Sequence, residues 1–402
     1  MTTATLPPAS RSDLETISLI GFVHAVSHFF HLLLPPLFPW LMPEFGLSFT
    51  AIGVTMTVFF IVSGIGQATA GFLVDRFGAA LVLACGISCF ALAGIVLHFA
   101  TGLPMLIAVA VLAGLGNSVF HPADFTVLNR HVSQPRLGHA FSVHGLSGNL
   151  GWAAAPIFMT GIASVGGWRT AALAASFVAL LAIALLIWRR EAITDTPEHH
   201  AEKSQEAAGP TFAFLNSRAV WLCFLFFLLI TAAFGTIQNF ASPILQAMYD
   251  LSLTTAAFAL STYLVGSACG IVLGGFLAQK GEHELLIAGA LGLAALLAVL
   301  LASAILPAAL ILPLMAGIGF CTGIAGPSRD LLVRKAATAR FGKAAYGRVY
   351  GFVYSGLDLG LAIAPLIFGG LMDAGQFGKV LVGIAILQTL AIFSALRVGK
   401  SV

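Results

Sequence analysis

One apolar stretch, GFVHAVSHFFHLLLPPLFPW at residues 21–40, carries His24, His28 and His31. On a helix, spacings of four and three residues place these rings within about 60° of one another, along about 10 Å of the axis. Imidazole titrates near neutral pH and is a common metal ligand, so the stripe suits proton handling, contact with a polar ligand, or metal binding. A hydrogen-bonded core role is the plain alternative for any one of the three. His24 and His28 have the i, i+4 spacing of a two-point metal grip. No Cys or Met partner set accompanies them, so neither a metal nor any other cofactor is expected.

Further polar groups interrupt later apolar runs. His121, Pro122 and Asp124 stand in GLGNSVFHPADF (residues 114–125), with His121 and Asp124 three residues apart on one helix face. Pro122 lacks a backbone N–H, which frees a carbonyl in the preceding turn. Polar groups around such a break usually line a cavity rather than lipid. His144 and Asn149 follow, then Gln238 and Asn239, and each is a candidate for cavity contact or for packing. Asp330 beside Arg329 reads as an ion pair, with Arg329 also able to meet a carboxylate ligand. Asp358 has no opposite charge within a turn of its own helix. A carboxylate at a helix centre costs about 3 kcal/mol on insertion scales, so it must take a proton, find a partner or face water. His24, His28, His31, His121, Asp124 and Asp358 are therefore the proton-coupling candidates. His28, His121, His144, Asn149, Gln238, Asn239 and Arg329 are the substrate-cavity candidates.

The elements that must position these groups are membrane helices. Of 402 residues, 59% are hydrophobic and only 9% charged, against about 25% charged in soluble chains. Too little polar surface remains to cover a water-soluble body, and the net charge of +3 offers no argument for nucleic acid. Apolar segments predict twelve spans, near 16–41, 51–74, 79–100, 104–129, 138–164, 169–188, 217–247, 254–279, 284–305, 308–333, 345–372 and 377–396. No cleavable leader is expected, since the first fifteen residues are polar and run into a full-length span. Residues 189–212 form the one long polar stretch, read as a solvated linker that includes His199 and His200. Of the 19 Lys and Arg, all but Arg169 and Lys379 fall on one side of the predicted spans, which places both termini in the cytoplasm. Trp40, Trp168, Trp188 and Trp221 lie near span ends, as interfacial anchors do. Cys85, Cys89, Cys223, Cys269 and Cys321 all sit in apolar segments and read as small buried fillers.

The halves echo each other. AGLG at 113–116 is matched by AGIG at 316–319, and NLGWAAAP at 149–156 by DLGLAIAP at 358–365. Duplicated halves with a site between them are a frequent design among secondary transporters. GFLVDRFG at 71–78 lies at the inner end of the second span, with Gly71 and Gly78 permitting close contact and a turn. Asp75 and Arg76 supply opposite charges that form a gate latch or an ordinary charged turn.

With twelve spans, a linker and a repeat, this segment resembles the G-x-L-x-D-R-x-G signature of the major facilitator superfamily. Ala79 and Ala80 stand where basic residues usually follow, and Gln279 and Lys280 replace the acid and Arg in the second half. SVHGLSGNLGWAAAP at 142–156, with Gly148, Gly151 and Pro156, resembles a degraded antiporter motif and equally suits packing and a kink. SVFHP at 118–122, SH at 27–28 and GNLG at 148–151 resemble the fosmidomycin-resistance-like branch. There Ala123 occupies the place of an expected acid, with Asp124 one position later.

The resemblance implies an all-α membrane protein. Twelve transmembrane helices would form two pseudo-symmetric six-helix bundles around a central cavity, at 1–188 and 216–402, joined by a cytoplasmic linker at 189–215. It implies a monomeric, proton-coupled exporter of a small polar or amphipathic compound, such as a drug or metabolite, working by alternating access in a bacterial inner membrane. Its partners would be that small molecule, protons and the bilayer. An importer of an organic acid and a non-transporting sensor are the alternatives; no nucleophile or metal set argues for an enzyme.

Overall fold

In a computed structural model, the described residues are 11–194, 213–279, 281–341 and 346–399, with side chains at a few segment margins left aside. Among these described residues, fourteen α-helices make up the twelve spans. They are α1 (Arg11–His31), α2 (Phe38–Phe45), α3 (Phe49–Phe77), α4 (Ala79–His98), α5 (Leu103–Ser118), α6 (Phe120–His131) and α7 (Leu137–Gly166). There follow α8 (Trp168–Trp188), α9 (Arg218–Tyr249), α10 (Leu253–Ala278), α11 (His283–Ala302), α12 (Ile311–Phe341), α13 (Tyr346–Asp373) and α14 (Phe377–Gly399).

Two predicted spans are broken rather than continuous, and proline accounts for both. The first bends by 41° between α1 and α2. Its helix stops at His31, and the chain passes through a 3₁₀ turn at Pro35–Leu37 whose prolines cannot continue the hydrogen-bond ladder. The fourth breaks at Val119, between α5 and α6, where Pro122 has no N–H to give to the preceding turn. Both breaks lie next to the histidines. Elsewhere the ends follow local chemistry. The Ser48 hydroxyl caps α3 by accepting from Ala51 N at 3.1 Å. Gly78, at φ +82°, turns the chain from α3 into α4 in a conformation that other residues resist.

Among the described residues, ten helices are long and apolar enough to cross a bilayer, and the bent α1/α2 pair makes an eleventh. The twelfth is α7, 30 residues long, whose apolar character is diluted by His139, Ser142, His144, Ser147 and Asn149. The molecule is a multi-pass membrane protein. Large apolar side chains such as Phe72, Val165, Phe276 and Leu296 stand outward, as lipid contact demands.

In the first half α1 packs on α7, α3 on α5 and α4 on α8. In the second, α9 packs on α13 and α14, α10 on α12, and α11 on α12 and α14. The two bundles meet through α3 with α13 and α7 with α10. At the Asp373 end this seam is shut. Phe49 N and Thr50 N donate to the Asp373 carboxylate, at 2.5 and 3.1 Å, so an acid of one half caps a helix of the other. Deeper in the seam, Thr57 Oγ1 donates to Ala362 O at 2.7 Å, and Gly53 faces Pro365. Trp168, expected at an interface, is buried instead. Its Nε1 donates to Glu44 at 2.5 Å, and Arg169 pairs with the same carboxylate at 2.7 Å.

Candidate functional site

The histidine stripe of α1 does not stand alone. It meets His121 and Asp124 from α6 and His144 from α7, giving five imidazoles and a carboxylate in one cluster. His24 stacks on His144 with ring centroids 3.5 Å apart, and His28 lies 4.3 Å from His24 and 4.8 Å from His31. His121 approaches His24 at 5.5 Å and His28 at 6.3 Å. Glycine makes the room. A Cβ at Gly148 would lie 2.7 Å from His28 and 2.9 Å from His24, and one at Gly151 would run into the Ala25 carbonyl. The antiporter-like motif therefore acts here as the close crossing of α1 and α7.

Hydrogen bonds orient the cluster. The His144 carbonyl accepts from His24 Nδ1 at 2.8 Å, which fixes the tautomer of His24. His144 Nε2 donates to Asp124 Oδ2 at 3.0 Å. The displaced acid thus finds a partner across a helix boundary rather than in His121 on its own helix. Asn117 is a hub missed by the sequence reading. Its Oδ1 accepts from Ser27 Oγ at 2.6 Å and from His31 Nε2 at 2.7 Å, while its Nδ2 donates to Ser63 Oγ at 2.7 Å. The signal was present in the sequence, as a lone amide in an apolar run one turn before His121.

The stripe does not line an aqueous passage in this conformation. His24, His28 and His31 are 2%, 8% and 7% exposed, because three helices and Trp152 close over them. Trp152 lies 4.2 Å from the His28 ring and 5.1 Å from Phe234 of α9, so the cluster reaches the seam between the halves through one indole. Several ring atoms in this dry setting have no hydrogen-bond partner, among them His24 Nε2, His28 Nδ1, His31 Nδ1 and His121 Nδ1.

The remaining candidates lie apart from this cluster. Asp358 of α13 sits against Gly64 of α3, where a Cβ would be 3.5 Å from its Oδ2. It is partly buried at the seam, and among the described residues no hydrogen bond reaches its carboxylate. Asn149 and Asn239 donate to carbonyls of their own helices, Gly145 O and Gly235 O, at 3.0 and 2.7 Å. Gln238 is buried on α9 with its Nε2 unbonded. Arg329 bonds Asp330 at 2.9 Å and lies over the Phe227 ring at 4.6 Å, in accord with the ion-pair reading. Asp75 and Arg76 are exposed at the end of α3, with Arg76 over Phe77. His199, His200 and Lys280 lie outside the described residues.

This arrangement, a seam between two six-helix bundles with polar groups buried beside it, is that of a facilitator-type transporter. The sequence model of the Major Facilitator Superfamily matches residues 18–337 and 229–400, and the chain belongs to that family. It is 26% identical over 372 residues to the fosmidomycin resistance protein of Escherichia coli, across 89% of this chain and 87% of that one. The resemblance carried by SVFHP and GNLG thus holds along the chain. It is 24% identical to the membrane sensor protein UhpC of E. coli, across 85% of this chain and 81% of the other. Its fold matches an inward-facing, unoccupied bacterial homologue of the human lysosomal transporter Spinster, with a TM-score of 0.72 at 12% identity. That match covers 98% of this chain and 96% of the other.

Proposed function

We propose that this protein exports a small polar or amphipathic compound in exchange for protons, by alternating access across a bacterial inner membrane. One observation carries the coupling. Asp358 sits at the seam of the two halves, about 18 Å from one end of α13 and about 22 Å from the other by helical rise, with no bonded partner among the described residues. A charged carboxylate in that place demands water or a counter-charge, whereas the protonated acid tolerates dry contact with α3. Loading a proton from outside therefore favours the shut seam seen here, and losing it inside favours reopening. Coupling requires only that proton and cargo bind the two states unequally.

In this reading the termini are cytoplasmic, the Asp373 end faces outward, and residues 189–215 link bundles at 1–188 and 216–402. The shut Asp373 end and the exposed Asp75 and Arg76 then correspond to an inward-facing state with the inner latch released. His28, His121 and His144, with Asn149, Gln238 and Asn239, give cargo its polar contacts once Trp152 moves. Asp124, already bonded to His144, is the weaker proton carrier. Support comes from family membership and from the likeness to a fosmidomycin resistance protein. The likeness to a membrane sensor favours one second reading, a receptor that binds without transport.

Counterflow in proteoliposomes decides between them. Export predicts exchange of labelled cargo, accelerated when the cargo-loaded side is the less acidic. Binding without exchange would leave the sensor reading, and acceleration by the opposite gradient would make the protein an importer.

A further inference from the structure

We propose that His24, His28 and His121 form a binding site for a borderline divalent cation of the zinc, nickel and cobalt class. The inference goes beyond the transport reading, because it concerns a ligand other than the organic cargo, one that would compete with cargo for His28 and His121. Three features carry it. One nitrogen from each ring lies within 4.8 Å of the others. Four-coordinate zinc at about 2.1 Å from each nitrogen needs donors about 3.4 Å apart, so the widest pair would have to draw in by up to about 1.4 Å. His24 Nε2, His28 Nδ1 and His121 Nδ1 are also buried with no hydrogen-bond partner, an expensive condition unless something accepts their lone pairs. Finally, His24 already has the outer bond typical of a metal-bound imidazole. Its Nδ1–H is held by the His144 carbonyl at 2.8 Å, which leaves the lone pair on the unbonded Nε2.

The sequence displays only half of this set. His24 and His28 are one helical turn apart on α1, but the third donor comes from α6, beyond the break at Val119. Imidazole donors select borderline ions over magnesium or calcium, which prefer oxygen. A second grouping, His24, Asp124 and His144, has the same spacing. Its Asp124 and His144 are already bonded to each other, so the first set is the one with vacant donors. All three ligands belong to the first bundle. The ion would tie the broken fourth span to α1 and move with that bundle as the halves rock.

The test uses the full chain in nanodiscs with His199→Ala and His200→Ala, which removes the imidazoles of the linker. Zn²⁺ is titrated calorimetrically, and Co²⁺ is followed by its visible absorption, which intensifies in tetrahedral sites. The expected result is one ion per chain with micromolar or tighter affinity. His121→Ala should weaken it at least tenfold, while His139→Ala, on the exposed start of α7, should leave it unchanged. Absence of saturable binding, or an affinity untouched by His121→Ala, would overturn the site. Zinc-edge X-ray absorption on the unsubstituted cluster guards against a variant that fails to fold, since fewer than two imidazole ligands there would overturn it as well. These readouts need no transport, so they stand or fall apart from counterflow.

Discussion

The crossing of α1 with α7 and the crossing of α9 with α13 are built on the same pattern and filled with different chemistry. NLGWAAAP and DLGLAIAP occupy matching places in α7 and α13. Gly151 lets α7 rest on the Ala25 carbonyl, and Gly360 lets α13 rest on Thr231 and the Leu228 carbonyl. One residue before Asn149, however, Gly148 opens space for two imidazoles, where α13 has Leu357. At that crossing the Thr231 hydroxyl donates to Leu357 O at 3.0 Å. The repeat conserves the backbone approach and not the contents. At this pair of crossings the imidazoles gather in the first half, and an acid, Asp358, stands in the second at the place of Asn149.

The sharpest way to break this comparison is to fill both glycine contacts. Gly151→Leu and Gly360→Leu should each cost at least 1–3 kcal/mol from overpacking against backbone that cannot move aside, seen as loss of folded protein or a large fall in Tm in detergent. A tolerated Gly360→Leu would end the equivalence of the two crossings. Next in size, Asp358→Asn should reduce gradient-driven flux at least tenfold while cargo exchange without a gradient persists. Equal flux with and without the substitution would return the coupling role to the first half. Gly148→Ala should then lower stability by about 1–3 kcal/mol, because the new methyl meets His28 and His24. An unchanged Tm would mean that the rings move aside freely. The smallest effect belongs to the rim of the seam. Asp373→Ala removes a cap worth about 1 kcal/mol. Spin labels at positions 43 and 376, in a cysteine-free background, should report a larger population of long distances.

Much of the fold was legible because lipid imposes a coarse and redundant code. Runs of about 20 apolar residues between Gly, Pro and charged turns mark spans whatever their partners, and even α7, with its several polar residues, falls in one of the predicted spans. The breaks at Leu32–Leu34 and Val119 were less visible. Pro35, Pro36 and Pro122 announced some disturbance, but proline also sits inside intact helices such as α7 and α13. The stripe on α1 was legible from spacing alone, whereas its surroundings were not. Which ring lies against His24 depends on how α6 and α7 rotate about their axes, a property fixed by contacts far apart in sequence. His144 was thus read as a separate cavity candidate, and its bond to Asp124 could not be read from spacing. Asn117, Trp152 and Asp373 escaped for the same reason: each matters through a partner at least 54 residues away.

The closure at Asp373 has a genetic consequence. Two of the groups it holds are main-chain amides, at Phe49 and Thr50, which every residue except proline supplies. Substitution at Phe49 would leave that half of the clasp intact, and Thr50 would forfeit only its hydroxyl. Drift in this protein should therefore be asymmetric, with a single vulnerable position on α13 and a nearly silent counterpart on α3. Revertants of an Asp373 lesion should arise by restoring an acceptor near the end of α13, and hardly ever by compensation at the helix it caps.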